Sequence, residues 1–297
     1  IERAERDGFP RNMCNWIKGI YGVVMEYGID PVITVMEGDC SNTHGLAEIL
    51  QYRGVRTIPF SFPYDRDYAV VKREIEKLTI ALGADEGDVA RVFSAVNSVR
   101  ATLRGIDDLT WKERTVSGYE NHLWLIRSSD MLGDYMMYGQ MAEEFLQSAG
   151  TRDALEGIPV GYIGVPPILL DFYDFVSDQG GHIVFNETQR QFSLPQGGED
   201  IVAAYRQYTY PYGIFERLAD IREEVARRRI RGIIHYVQGF CFRIMDDIIL
   251  KDSLKVPILT IEGEFPKPLD SRTKLRIEAF LEMLKGLGDG EDEALPH

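Results

Sequence analysis

The pattern of apolar and polar positions changes twice along the chain. Up to residue 65, apolar segments with helical periodicity alternate with short apolar runs typical of buried strands, such as "PVITVM" and "VRTIPF". From residue 66 to 149 the periodicity is helical throughout, with charged faces and no convincing strand. The alternation of strands and helices then resumes and continues to the final helix. This pattern predicts an α/β protein with two Rossmann-like parallel-sheet lobes and a helical insert between them.

These changes predict three regions. The first α/β lobe spans residues 1–65, a helical region packed on that lobe spans 66–150, and a second α/β lobe with a C-terminal helix spans 151–297. The best boundary candidate is "GTRDALEG", which combines glycines with charge. The strands expected in the second lobe are "IPVGYIGV", "GHIVF", "GIIHYV" and "VPILTIEG".

The closing helix has a clear predicted start. Asp270 is the expected N-cap, and a glycine follows the last apolar position. Its apolar residues should lie mostly on one face. They are Leu275, Ile277, Phe280, Leu281 and Leu284. The acidic end "EDEALPH" is expected to fray.

Length and charge restrict the function classes. A chain of 297 residues is long enough for two packed domains, and no apolar run approaches the length needed to span a bilayer. No secretory signal is visible, so a cytoplasmic location is the default expectation. The net charge of -14 disfavours nucleic acid as a partner. The one basic stretch, "ARRRIRG", is expected to be the cationic C-terminal end of a helix, where it complements the helix dipole, with a phosphate-bearing ligand as the alternative.

Three cysteines, Cys14, Cys40 and Cys241, are the main candidates for chemistry. They are too few for a disulfide framework, and their spacing matches neither a zinc ribbon nor a ferredoxin motif. Each stands where a helix is expected to begin, and two of them follow a predicted strand. Helix N-termini favour thiolates, so three converging sulfurs would suit a metal or cluster. Inert buried cysteines are the open alternative.

Other polar residues are weaker candidates. Ser41 and His44 follow Cys40 and could be catalytic, although the start of a helix needs the same residue types. Glu120 and His122 could form a proton-transfer pair or lie on a partly exposed helical face. His235 lies within a strand and is expected to be a packed core histidine. The acidic "MDD" before "IIL" is expected to be a solvated helix face.

Longer motifs resemble the iron–sulfur subunits of the 2-hydroxyacyl-CoA dehydratase and benzoyl-CoA reductase family. Near the C-terminus, Phe240-Cys241 and Glu262-Gly263 end two strands, and "R-x-R-I-E-A-F"-like residues follow from Arg272 to Phe280. The segments "MCNWIKGIYG", "VITVMEGDCSNTHGLAEIL" and "VARVFSAVNSVRATLRGI" resemble the other family motifs in the same order. The resemblance covers nearly the whole chain.

The resemblance implies a [4Fe–4S] cluster held by Cys14, Cys40 and Cys241, with a fourth iron that no cysteine binds. It implies oxygen-sensitive radical chemistry in which an ATP-hydrolysing iron–sulfur activator supplies an electron that is passed to an acyl-CoA thioester. The expected partners are that activator, the acyl-CoA substrate, and a related second subunit or a second copy of this chain. The expected function is therefore a subunit of a radical (R)-2-hydroxyacyl-CoA dehydratase.

Two alternatives remain. One is a benzoyl-CoA-reductase-like or small-molecule reductase subunit, and the other is a non-catalytic electron-transfer or cluster-maturation subunit. The family usually has a longer segment before the first cysteine motif, so part of the usual helical cap is expected to be missing. The family also has a homodimeric branch with a double-cubane cluster. Three cysteines supply ligands for only one cubane, which disfavours that branch.

Overall fold

The computed structural model describes residues 1–287. The first lobe is an α/β unit with a two-stranded parallel sheet, in which Val32 pairs with Thr57 and Val35 with Phe60. Its elements are α1 (Glu2–Arg6), α2 (Asn15–Tyr27), β1 (Val32–Glu37), α3 (Ser41–Tyr52) and β2 (Thr57–Ser61). Helix α1 was not predicted from the sequence; five residues are too short for a clear periodicity. The acidic end "EDEALPH" lies outside the described residues.

The middle of the chain is helical, as predicted. It contains α4 (Tyr68–Ala81), α5 (Glu86–Asp108), a π-helical turn (Leu109–Glu113), α6 (Gly118–Arg127), a 3₁₀ turn (Met131–Gly133) and α7 (Tyr135–Ala149). These helices bury their own apolar cluster, which includes Val99, Leu103, Ile106, Leu125 and Tyr138. The division of the chain into three regions stays a prediction.

The second lobe contains the larger sheet. Its elements are β3 (Ile158–Gly164), α8 (Phe172–Asp178), β4 (Gly181–Asn186), α9 (Glu187–Phe192), α10 (Ile201–Arg206), a 3₁₀ turn (Tyr210–Tyr212), α11 (Ile214–Arg227), β5 (Gly232–Gln238), a 3₁₀ turn (Phe242–Met245), α12 (Asp246–Ser253), β6 (Ile258–Gly263) and α13 (Ser271–Gly286). All four predicted strands are present. They pair in parallel in the order β4-β3-β5-β6, which confirms the α/β fold class.

The strand order has a consequence for ligand binding. The chain leaves β3 for β4 on one side and then crosses to β5 on the other side. The connections therefore diverge outside the carboxyl ends of β3 and β5, which is the position where open parallel sheets bind ligands. Every residue of β5 is buried, because helices cover both faces of the sheet.

Helices α13 and α8 show which local features of the sequence predict a helix correctly and which do not. Asp270 caps α13 as predicted and accepts a hydrogen bond from the Thr273 N–H at 2.8 Å. Leu275 does not share the buried face expected for the apolar residues of α13. It is 64% exposed, while Ile277 and Leu281 are fully buried. Helix α8 begins at Phe172, later than the apolar run after Pro167 suggests, and α9 was not predicted.

The basic stretch lies at the C-terminal end of α11, as predicted, and one of its arginines is buried in an ion pair. Arg228 is buried and donates to both carboxylate oxygens of Asp107 at 2.9 and 2.6 Å. It also donates to Glu224 within its own helix. The Asp107 partner lies at the end of α5, so a buried ion pair joins the helical region to the second lobe. Within residues 1–287, no helix is both long and apolar enough to cross a membrane.

Candidate functional site

Cys241 is held in a constrained turn directly after β5. Its N–H donates to the Gln238 carbonyl at 3.0 Å, and the Gly239 N–H donates to the Gly263 carbonyl at 2.7 Å. Between them Phe240 adopts a φ of 64°, a left-handed conformation that a bulky residue rarely takes. The side chain of Phe240 is nonetheless 52% exposed, so core burial does not explain its presence. Such strain is typical of functional sites, where the surrounding structure maintains it.

Cys14 reaches the same end of the larger sheet through its neighbour Asn15. Cys14 is the N-cap of α2, and the side chain of Asn15 donates from Nδ2 to the Glu264 carbonyl at 2.7 Å. The side chain of Gln238 donates to that same carbonyl at 3.1 Å. Asn15 is 2% exposed, and its Oδ1 has no hydrogen-bond partner among the described residues. The start of α2 is therefore fixed to the ends of β5 and β6.

Cys40 lies between β1 and α3. It is the N-cap residue of α3, and its N–H donates to Asp39 Oδ1 at 2.7 Å. The other carboxylate oxygen of Asp39 accepts from the Thr43 hydroxyl at 2.8 Å. Asp39 thus fixes the turn that presents Cys40. All three cysteines precede a helical segment, as the sequence predicts.

The three thiols are close enough for their charges to interact. Burial raises the pKa of Cys14, the N–H groups of Ile17 and Trp16 lower it, and Cys40 raises it further. Burial also raises the pKa of Cys241, the Arg243 N–H lowers it, and Cys14 and Cys40 both raise it. Each thiol is partly buried and none forms a disulfide. Residues from both lobes therefore converge on one small region.

The geometry is not that of a single-ion site. Across the described part of the chain, residues 1–287, no group of three histidine, cysteine or acidic side chains is arranged to hold one metal ion. The three sulfurs interact through their charges, but they are not gathered around one point as the ligands of a zinc ion are.

A buried ionic network supports the segment that follows Cys241. Arg217 is fully buried and binds Glu187 at 2.6 Å and Asp246 at 2.5 Å. Glu187 also accepts from the Gly164 N–H at 2.8 Å, at the carboxyl end of β3. The "MDD" stretch is therefore not a solvated helix face, because Asp246 belongs to this network. Arginines and carboxylates distant in sequence give no local signal of such pairing.

Tyr210 lies beside this network and close to Cys241. Its ring centroid is 4.7 Å from the Arg217 guanidinium carbon and 4.3 Å from that of Arg243. Arg243 also donates to the Tyr210 carbonyl at 2.6 Å. Burial raises the pKa of the Tyr210 phenol, the two arginines lower it, and the Cys241 thiol raises it. Tyr210 was not a predicted site residue, because only the folded chain brings it to Cys241.

Ser41 and His44 both lie in the first turn of α3. Ser41 is exposed, and the His44 Nε2 lies 2.5 Å from the Met36 carbonyl oxygen. The imidazole therefore links α3 back to the end of β1. Their proposed catalytic roles stay predictions.

Glu120 and His122 do not pair with each other. Glu120 completes a capping box with Ser117 and binds Arg152 at 2.7 Å. His122 instead accepts at Nδ1 from Gln189 Nε2 at 3.0 Å. Burial, together with the charge of nearby Arg127, lowers the pKa of His122 to about 4. His235 is a core histidine as predicted, with Nδ1 2.6 Å from Asp247.

Apolar side chains are exposed on the helical segments that begin at two of the cysteines. On α2 they form one stripe at helical spacing: Trp16, Ile20, Val23 and Tyr27. After Cys241 they include Phe242, Ile244, Met245 and Ile248. Exposed apolar groups in such number are typical of protein interfaces.

Comparisons with known proteins agree with this arrangement at the level of the family. A search of curated proteins finds no match to the chain. A scan against models of protein families matches residues 1–284 to the 2-hydroxyglutaryl-CoA dehydratase D-component. Because that match spans almost the entire chain, the protein belongs to the 2-hydroxyglutaryl-CoA dehydratase D-component family.

Proposed function

We propose that this chain is the [4Fe–4S] subunit of an ATP-activated radical (R)-2-hydroxyacyl-CoA dehydratase, with Cys14, Cys40 and Cys241 as the cluster ligands. The carrying observation is the convergence of these thiols from both lobes, each at the start of a helical segment. Membership of the family supports a dehydratase component. The cluster, the activator and the electron transfer are the proposed parts.

The donor set fits an iron–sulfur cubane better than a single ion. A cubane binds each cysteine through a different iron, so its ligand sulfurs lie further apart than those of one tetrahedral ion. Thiols that raise one another's pKa are also an unfavourable set of anions unless a cationic centre joins them. The N–H groups of Ile17 and Arg243, which favour the thiolate forms of Cys14 and Cys241, match that requirement.

The residues around the thiols have distinct proposed roles. When bound, the cluster would supply single electrons to a thioester carbonyl. It would also supply one iron that no cysteine binds. Asn15 would hold the first ligand against the ends of β5 and β6 through the Glu264 carbonyl. The ionic network around Arg217 would hold in place the helical segment that follows Cys241, the third ligand. Ser41 and His44 are the proposed groups for hydrogen bonding or proton transfer.

Two other functions remain candidates. A benzoyl-CoA-reductase-like or small-molecule reductase subunit would use the same thiols. An electron-transfer or cluster-maturation subunit would keep the thiols without binding substrate. The proposed partners are an ATP-hydrolysing activator, an acyl-CoA, and a related subunit or second copy. The exposed apolar stripe on α2 supports a protein partner near the cysteines.

The experiment is anaerobic purification followed by iron and acid-labile sulfide analysis. We expect about four irons and about four sulfides per chain. Changing any of the three cysteines to serine should lower both and bleach the visible absorption, whereas Thr43→Ser, a matched change beside Cys40, should not. Zinc alone, or full iron content in all three cysteine variants, would refute the proposal.

A second measurement separates a substrate-binding subunit from a relay. Acyl-CoA thioesters are titrated into the anaerobic protein while its electron paramagnetic resonance or visible spectrum is followed. A substrate-binding dehydratase subunit should show a saturable change with 2-hydroxyacyl-CoA and none with free coenzyme A. An unchanged spectrum with every thioester would favour the relay function.

A further inference from the structure

A large groove lies between α4 and α5, away from the residues assigned to the cluster. Its volume is about 820 Å³, which falls in the range of ligand-binding pockets. The beginning of α10 forms a third wall. The apolar lining is Ile75, Ile80, Ala84, Val89, Ala90, Phe93, Ile201 and Val202.

The groove exists because α4 and α5, which follow each other along the chain, are not packed together where their apolar residues line it. Helix α5 buries none of its side chains from Glu86 to Ala95, and its buried residues begin at Val96. On α4 the same is true of the last turn, where Ile80 is 77% exposed. Apolar residues of both helices thus face a shared empty space.

The shape of the groove matches a helix better than a compact small molecule. Its α4 side runs from Tyr68 to Ile80, and its α5 side runs from Glu86 to Asn97. At 1.5 Å per residue, each wall is roughly 16–18 Å long, or about three helical turns. A third helix bound between them would complete a three-helix unit. Binding of an amphipathic helix in an apolar groove is a recurring mode of peptide recognition.

The charged residues that line the groove favour an occupant with positive charge. Five carboxylates line it, namely Glu76, Asp85, Glu86, Glu199 and Asp200. The single lysine of the lining, Lys72, already lies 3.7 Å from Glu76. Two of the carboxylates cap helices, but Glu86 and Glu199 have no ion-pair partner within residues 1–287. An acidic or phosphate-bearing ligand would be repelled here.

We propose that the α4–α5 groove binds an amphipathic α-helix of a partner protein, one in which lysine or arginine residues flank an apolar stripe. The apolar stripe would cover Ile80, Val89 and Phe93, and the basic residues would face Glu86 and Glu199. The proposal is independent of the cluster, because none of its residues is near a cysteine in sequence or contributes to the thiol site.

The test uses a fluorescein-labelled amphipathic leucine–lysine peptide of about four turns and the full chain, with binding followed by fluorescence anisotropy. We expect saturable binding, with affinity lowered at least about tenfold by Glu86→Lys and by Ala90→Trp, which fills the groove. The matched control is Glu223→Lys, an exposed charge reversal on α11 in the second lobe. It should bind almost as wild type does.

Three outcomes would overturn the proposal. They are no saturable binding, an equal loss in Glu86→Lys and Glu223→Lys, and unchanged binding in Ala90→Trp. Equal losses in the two charge reversals would mean that the peptide only senses the net negative charge of the chain. Circular dichroism of each variant confirms that the protein is folded before its affinity is compared.

Discussion

The partly buried imidazole of His122 predicts a specific loss of stability in mild acid. Its pKa is lowered from 6.5 to about 4 by burial, so the unfolded chain takes up a proton that the native state does not. Stability therefore falls as the pH drops below 6.5, and the loss levels off below about 4. Linkage gives about 2 kcal/mol at about pH 5, relative to almost nothing at about pH 7.5.

The perturbation is His122→Asn, which removes the titrating ring and keeps an acceptor for Gln189 Nε2. Urea unfolding of the cluster-free protein is measured at about pH 7.5 and about pH 5 for wild type and variant. Carboxylates that titrate in the same range contribute to both proteins and cancel in the double difference.

Wild type should lose about 2 kcal/mol more than the variant between the two pH values. Thr43→Ser, which changes no titrating group, provides the control and should lose as much as wild type does. Equal pH sensitivity of the wild-type and His122→Asn proteins would refute the assignment of a neutral, desolvated His122.

Three further stability changes follow from the packing and can be checked by urea unfolding near neutral pH. Arg228→Met should destabilise by about 3–5 kcal/mol because it leaves Asp107 buried without its cation, and adding Asp107→Leu should restore part of the loss. Phe240→Gly should stabilise the cluster-free chain by about 1 kcal/mol by relieving a φ of 64°, and a clear loss would contradict backbone strain. Gly118→Ala should destabilise by about 1–3 kcal/mol, because its Cβ would lie 2.6 Å from that of Ile183; an unchanged midpoint would count against this close approach.

Strong periodicity and strand-to-helix turns made most of the fold predictable. The four strands of the second lobe were recognisable because each is an apolar run bounded by turn residues, and the Asp270 cap has a local signature. The short helices α1 and α9 were missed, since five or six residues hold too little periodicity. The exposure of Leu275 was missed because a run of closely spaced apolar residues does not define which one turns outward.

The cysteines could be selected from the sequence, but their surroundings could not. Cys14 and Cys241 both precede helical segments, which is a local property. The bond from Asn15 to the Glu264 carbonyl depends on how the two lobes meet, and no local pattern encodes it. The same applies to Arg217, whose charge suggests solvent although the side chain is fully buried. In each case the position of the side chain depends on a partner that is far away in the sequence.

The hydrogen bond from Asn15 to the carbonyl after β6 also has a consequence for protein synthesis. Asn15 is synthesised 249 residues before Glu264. Because domains fold as their segments emerge, Cys14 and Cys40 of the nascent chain lack their final surroundings until β6 and Glu264 have been made. The surroundings of Cys14 are therefore completed only when β6 is in place, long after Cys14 itself has been made.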